Sequence, residues 1–283
     1  MAKKKLTVLD LRRMKEKGER AVWLTAYDFI TAQLAEQAGM DMLLVGDSLG
    51  MCVYGYDGTI PVTMDQCIYH TEAVRRGAPN TFIIGDMPFG SYQISVEGAV
   101  ANAVRFAKEA RVDAVKLEGG KRVANVVRAI ADSGMLVMGH LGLTPQSSNA
   151  LGGFQAQGRT AETALAVIED AHTIHAAGAF AILIEAVPPE VTRIIRDELP
   201  IPIYSIGAGV HADGHLLIVS DMIGLFQAFT PKFVKRYGDV AGEMSRSFAS
   251  YVQDVKDGRF PGDEHAYHMR EGELDRLLEA RKR

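Results

Sequence analysis

The sequence is short of the features that mark several large classes of protein. Its only two cysteines are Cys52 and Cys67. Two thiols without CxxC spacing make neither a disulfide framework nor a zinc or redox motif, so both are expected to be packing thiols in a reducing cytoplasm. No run reaches the ~20 consecutive apolar residues that a membrane-crossing helix needs. The basic start Lys3-Lys4-Lys5 is followed by Leu6 to Gly18, which Asp10, Arg12, Arg13, Lys15, Glu16 and Lys17 interrupt, leaving no apolar core for a secretory signal. A cytoplasmic protein that is neither secreted nor membrane-spanning is expected. Clustered positive charge is missing too: the net charge is -4 and no long basic stretch occurs. Nucleic acid therefore has no electrostatic footprint to bind, and small-molecule substrates are expected instead. With no Pro/Gly/Ser-rich linker and no internal repeat, the 283 residues are expected to form one domain, 1–283.

What is present is a recurring alternation. Hydrophobic residues make up 47% and charged residues 23%, the balance of a globular chain. Short apolar, β-branched runs alternate with longer amphipathic stretches from the N-terminal region nearly to residue 220. That order implies a parallel sheet with crossover helices. The strand candidates are Ala21 to Thr25, Met42 to Val45, Thr81 to Gly85, Ala114 to Leu117, Leu136 to Gly139, Ala181 to Ile184, Ile203 to Ile206 and Leu216 to Val219. Between them lie helical patterns at Val96 to Ala110, Arg122 to Ser133, Thr160 to Ala177 and Pro189 to Glu198, with Gly134 and Gly178 suited to helix C-termini. Eight strands favour closure, so the expected fold is an α/β (β/α)8 TIM barrel with an N-terminal helix and extra C-terminal helices. The stretch Gly207 to His215 is too short for a normal helix between strands seven and eight. A long helix, Phe233 to Lys256, and a polar tail ending Arg281-Lys282-Arg283 follow.

In such a barrel, chemistry sits at the C-terminal ends of the strands. Four ends are acidic: Asp47, Asp86, Glu118 and Glu185. Any one could be a loop carboxylate or helix cap. Four converging on one mouth would repel one another and resist desolvation, which calls for a cation. Lys116 adds to this, because Val115 and Leu117 must face the helices and the alternate Lys116 then points into the barrel. It could pair internally with Glu118 or meet an anionic substrate; the second is preferred. Oxygen ligands without a Cys or His cluster suit Mg²⁺ or a similar hard divalent ion. His140, at the end of strand five, is a possible lining residue. His172 and His175 lie mid-helix and read as an ordinary helix face. The run Gly207-Ala208-Gly209-Val210-His211-Ala212 matches GxGxxG/A in letters only, since no strand with a ribose-binding acid follows it. Gly119-Gly120-Lys121 lacks the spacing of a phosphate loop and reads as a turn.

The strings carrying these residues are long. They include Thr25-Ala26-Tyr27-Asp28, Gly46-Asp47-Ser48-Leu49-Gly50-Met51, Asp86-Met87-Pro88-Phe89-Gly90-Ser91-Tyr92, Val115-Lys116-Leu117-Glu118-Gly119-Gly120 and Gly139-His140-Leu141-Gly142-Leu143-Thr144-Pro145-Gln146-Ser147. Glu185, Ile206-Gly207-Ala208-Gly209 and Phe260-Pro261-Gly262-Asp263-Glu264-His265 complete them. Over nearly its whole length the chain resembles the ketopantoate hydroxymethyltransferase (3-methyl-2-oxobutanoate hydroxymethyltransferase) family, within the phosphoenolpyruvate mutase/isocitrate lyase-like barrels. The resemblance implies Mg²⁺ on Asp47, Asp86 and Glu118, the oxo acid on Asp47, Ser48, Asp86 and Lys116, and Glu185 as proton acceptor. It also implies 5,10-methylenetetrahydrofolate as co-substrate, ketopantoate as product in the first committed step of pantothenate biosynthesis, and a homo-oligomer, often a decamer. Two departures are Ser205, where a glycine is expected, and His211-Ala212-Asp213-Gly214-His215, which varies a stretch usually containing Cys-Asp-Gly-Gln. The long loops Gly46 to Thr63 and Leu141 to Arg159 could cover a bound folate. The rival reading is a Mg²⁺-dependent lyase or mutase acting on a small 2-oxo acid, although the Lys-Lys-Cys-Gly-His type of lyase signature is not found.

Overall fold

The computed structural model describes residues 4–148, 152–153 and 155–282. Backbone contacts separate two compact units, one up to Tyr237 and one from Gly238 onward. In the first, strands β1 (Ala21–Thr25), β2 (Met42–Val45), β3 (Phe82–Asp86), β4 (Ala114–Glu118), β5 (Leu136–Gly142), β6 (Ala181–Glu185), β7 (Ile203–Ile206) and β8 (Gly214–Leu217) close in chain order into a parallel barrel. The ring is completed where Ala21 registers with Gly214 and Trp23 with Leu216. The expected (β/α)8 TIM barrel is the observed fold.

The strands are buried on both faces, which is why they read as unbroken apolar runs. Alternation then divides the side chains. Trp23, Met42, Leu44, Phe82, Ile84, Ala114, Met138, Leu183 and Tyr204 fill the interior, joined by Leu11. Leu24, Leu43, Val45, Ile83, Val115, Leu117 and Ile182 pack outward against the helices. Leu11 is the buried residue of helix α1 (Val8–Lys17), which starts on a capping box between Thr7 and Asp10. Burying Leu11 removes roughly 2 kcal/mol of apolar exposure.

Boundaries differ from the sequence expectation where apolarity was the only guide. Asp86, Glu118 and Glu185 are the last residues of their strands rather than the residues after them. Strand β8 begins two residues early, because Gly214 lets the backbone approach Ala21: a Cβ there would lie 2.4 Å from the Ala21 carbonyl oxygen. The apolar run then turns into a four-residue helix, Val219–Met222. As expected from its length, the stretch between β7 and β8 holds no helix among its residues. The helices Ala161–Ala176 and Pro189–Glu198 fall where predicted, and Gly134 and Gly178 take the left-handed conformation just past their helices.

In the second unit, the helix expected from Phe233 begins only at Val240, where the Asp239 side chain accepts from Gly242 N. It runs to Lys256, and a shorter helix spans Glu273–Ala280; neither contains a buried residue.

Candidate active site

Strand parity determines which side chains meet. Asp86 registers with Lys116, Glu118 with His140, and Gly142 with Glu185. Residues in register on parallel neighbours point the same way, so the acids, the lysine and the histidine form a row around the mouth. Lys116 points inward as expected, with Val115 and Leu117 in the outer layer. Asp47, Ser48, Asp86, Lys116, Glu118, His140 and Glu185 all line one cavity of about 890 Å³.

Lys116 Nζ lies 2.7 Å from Asp86 Oδ1 and 3.9 Å from Glu118 Oε1. Its close partner inside the protein is thus Asp86 rather than Glu118, the internal partner weighed as the alternative to an anionic substrate. His140 links the two sides of the site: its Nδ1 is 3.2 Å from Glu118 Oε1 and 3.3 Å from Lys116 Nζ, and its Nε2 is 3.1 Å from Glu185 Oε2. Asp47 N donates to Asp86 Oδ2 at 3.1 Å. Ser48 lines the cavity beside them and shares a 2.8 Å hydrogen bond with Tyr27.

The charges are far from balanced. Asp47, Asp86, Lys116 and Glu118 are each at most 4% exposed, and one ammonium faces three carboxylates. Burial pushes the Glu118 carboxyl up to about 7. Burial also raises Asp47, with Glu118 adding repulsion, and lifts Asp86 well above the carboxylate range despite the Lys116 charge. For Lys116 burial opposes the charge, but Asp86, Glu118 and Asp47 outweigh it and hold its pKa above the ordinary lysine value. His140 is shifted down by burial and by Lys116, which favours the neutral imidazole.

Could these residues hold a metal? Their donors are all oxygen, they carry more negative charge than Lys116 offsets, and Asp86 Oδ1 has no aligned hydrogen bond despite the lysine beside it. That chemistry fits a hard divalent ion. Among the described residues, no three His, Cys, Asp or Glu side chains are gathered as a ready cage. Asp47, Asp86 and Glu118 therefore share one cavity rather than one preformed coordination shell, which suits an ion such as Mg²⁺ that keeps several waters and takes few protein ligands.

Sequence reasoning assigned no role to Gln146 or Tyr92. Gln146 Nε2 donates to Asp47 Oδ2 at 2.8 Å and to the Met87 carbonyl at 3.0 Å, while its backbone N donates to Glu118 Oε2 at 3.0 Å. Tyr92 donates to Gln146 Oε1 at 2.6 Å. Tyr92 comes from the connection after β3 and Gln146 from a short 3-10 turn after β5, where spacing alone says nothing about what a side chain meets. Behind Glu185 the backbone is tight. Ala186 has φ +48°, and a Cβ on Gly142 would lie 2.3 Å from the Glu185 carbonyl oxygen. A non-glycine residue in that region is strained and marks a position the surroundings enforce. Ser205, at a position where a glycine is expected, accepts from Ala208 N at 2.9 Å and ties the Gly207–Gly209 turn.

A family model described as ketopantoate hydroxymethyltransferase matches residues 5–263. The 3-methyl-2-oxobutanoate hydroxymethyltransferase of Alkaliphilus metalliredigens is 63% identical over 269 residues, covering 95% of this chain and 95% of its own. That of Heliobacterium modesticaldum is 47% identical over 266 residues, covering 94% and 96%. Among solved structures, phosphonopyruvate hydrolase in complex with oxalate and Mg²⁺ superposes with a TM-score of 0.60 at 14% identity, over 98% of this chain and 99% of that one. For 2,3-dimethylmalate lyase, a PEP mutase/isocitrate lyase superfamily member, the TM-score is 0.58 at 17% identity, over 98% and 97%. At such identities the likeness concerns the fold.

Proposed function

Because the chain belongs to the ketopantoate hydroxymethyltransferase family, we propose that it carries a one-carbon unit from 5,10-methylenetetrahydrofolate to 3-methyl-2-oxobutanoate and so makes ketopantoate for pantothenate biosynthesis. Hydroxymethyl transfer is the activity its relatives are named for. The observation that carries the finer reading is the single cavity lined by Asp47, Asp86, Lys116, Glu118, His140 and Glu185.

Asp47, Asp86 and Glu118 would hold Mg²⁺, and Asp47, Ser48, Asp86 and Lys116 would contact the oxo acid. Bound there, a divalent ion would polarise the keto group and acidify the adjacent C–H. The Lys116 ammonium, kept charged by its neighbours, meets the substrate's negative charge and steadies the enolate that forms. Glu185 removes the proton from C3. Its carboxylate lies 3.1 Å from His140 Nε2, and the other ring nitrogen stands between Glu118 and Lys116. The C3 carbanion then attacks the methylene carbon of the donor, and one water completes the hydroxymethyl group as tetrahydrofolate leaves. The reading extends to a cytoplasmic homo-oligomer, a decamer, which light scattering tests. A Mg²⁺-dependent lyase or mutase is the weaker reading, given a relative 63% identical over 95% of the chain that is named for transfer.

The test separates the two halves of the reaction. With Mg²⁺ and 3-methyl-2-oxobutanoate in D₂O, without folate, the enzyme should exchange the C3 proton, and Glu185→Gln should slow this by roughly 10²–10⁴-fold, the usual weight of a general base. Undiminished exchange in the variant would remove Glu185 from that role. Failure to form ketopantoate once methylenetetrahydrofolate is added would sink the transfer reading.

A further inference from the structure

The proposed chemistry leaves one part of the cavity unused. Beyond the metal-binding acids and Glu185, its lining includes Thr25 at the end of β1, Cys52 and Thr59 from the connection after β2, and Asp221 after β8. Asp221 is only 6% exposed, yet among the described residues no hydrogen bond or ion pair reaches its carboxylate. Burial raises its pKa, and the charge of Arg236 opposes that shift without contacting the carboxylate. Thr59 Oγ1 is likewise buried without a hydrogen-bond partner.

The backbone that carries Asp221 is held firmly. Val219 N donates to Thr25 Oγ1 at 3.0 Å, and Leu225 N and Phe226 N both donate to the Ser220 carbonyl, at 2.8 and 3.1 Å. Phe226, Phe229 and Phe233 line the same cavity; the first two rings meet edge to face with centroids 5.4 Å apart.

A carboxylate that lines a cavity without a protein donor of its own must find its partners in whatever fills that cavity. Its two oxygens can accept from a pair of adjacent N–H groups, the strongest neutral-to-charged hydrogen-bond pattern available to it. The anionic oxo acid offers no such pair and would be repelled. The pterin of the one-carbon donor has one, in the ring N–H and the neighbouring 2-amino group of its pyrimidinone edge, on a flat ring that aromatic walls can cover. We propose that Asp221 anchors the pterin ring of the donor, with Thr59 and the phenylalanines completing that subsite. This rests on the folate-dependent reading above and names a residue it did not include.

The experiment titrates tetrahydrofolate, and its analogue with the 2-amino group replaced by methyl, into the wild-type enzyme, Asp221→Asn and Asp221→Glu, and follows C3 exchange of the oxo acid in the same samples. Asp221→Asn should weaken tetrahydrofolate binding on the order of 10- to 100-fold, as loss of a charge-assisted pair does, with Asp221→Glu in between. The variant should still exchange the oxo acid's proton, which shows that it is folded. It should also bind tetrahydrofolate and the analogue alike, while wild type prefers tetrahydrofolate. Unchanged tetrahydrofolate binding in Asp221→Asn overturns the inference alone. So does joint loss of exchange and binding in both variants, or a preference for tetrahydrofolate over the analogue that survives the substitution. A wild-type enzyme that exchanges the oxo acid but neither binds tetrahydrofolate nor makes ketopantoate refutes the folate donor, and this inference with it.

Discussion

The two ends of the barrel treat their carboxylates in opposite ways. At the N-terminal end, Asp113 and Asp213 immediately precede β4 and β8. Asp213 accepts from Ile203 N and Lys15 Nζ, both at 2.9 Å, and from Arg196 Nε at 2.9 Å. Asp113 accepts from Ile83 N at 2.8 Å and Arg75 at 2.6 Å, and Lys5 joins it. Each thus has two cations and a backbone amide. At the C-terminal mouth, three buried acids have amide donors from Asp47 and Gln146 but only one cation, Lys116, among them, beside a neutral imidazole. The fold can satisfy a strand-end carboxylate fully, and does so at the end away from the mouth. The shortfall at the mouth is therefore what a substrate and a metal ion would fill, which matches the division of labour between the two faces of such barrels.

The most damaging change to that contrast is removal of the lone ammonium. Lys116→Met keeps the length of the side chain but leaves Asp86, Glu118 and Asp47 without any cation. Activity should fall by about 10³-fold or more, since a charged, pre-positioned donor is lost at the reacting centre. The metal-free protein should also lose stability, by a few kcal/mol at neutral pH, because an uncompensated buried charge remains. Thermal melts at pH 5 and pH 8 check the second part. The loss should be smaller at pH 5, where the buried carboxyls can take up protons instead.

Glu118→Gln sharpens the contrast from the other side. The folded-state pKa of Glu118 is pushed up to about 7 from an ordinary 4.5, so between those values the folded protein holds a proton that the unfolded chain does not. Stability from this group is present below about 4.5 and is lost as pH rises through about 7. In EDTA, wild-type Tm should therefore decline across that window. Glu118→Gln, permanently neutral, should flatten the decline and melt several degrees higher at pH 8. Its turnover with Mg²⁺ should drop roughly 100-fold. A variant that melts lower than wild type at pH 8 would show that Glu118 is as well compensated as Asp213.

Much of this was legible in the chain because two simple periodicities control it. The strands β1, β2 and β7 begin and end where their apolar runs do, and the inward face of Lys116 follows from Val115 and Leu117 on either side. The acids stood out because each closes such a run. What escaped was carried by loops and by backbone fit. Gln146 joins Asp47 to Glu118 only because its segment crosses the mouth after β5, and the early start of β8 depends on a Cβ-free contact at Gly214. Asp221 lies two residues past an apolar run, where an acid reads as solvent-facing until the fold shows it buried. The helix from Val240 starts late because Asp239 caps it, a signal outweighed in the sequence by the apolar Phe233.

The mildest test concerns the satisfied end. Asp213→Asn preserves shape but discards the charge that Lys15 and Arg196 share, at side chains 13% and 35% exposed against 3% for the aspartate. Breaking such a buried network by one partner costs about 3 kcal/mol, a Tm drop of roughly 6–10 °C. Because β8 pairs with β1 through backbone bonds that the substitution leaves alone, and the mouth lies at the other end of the strands, kcat/KM should stay within about twofold at temperatures below the melt. Urea unfolding and steady-state kinetics on the same preparation measure both. A variant that keeps its Tm but loses turnover would mean that the two ends are coupled through the barrel, and that full pairing at Asp213 serves the reaction as well as the fold.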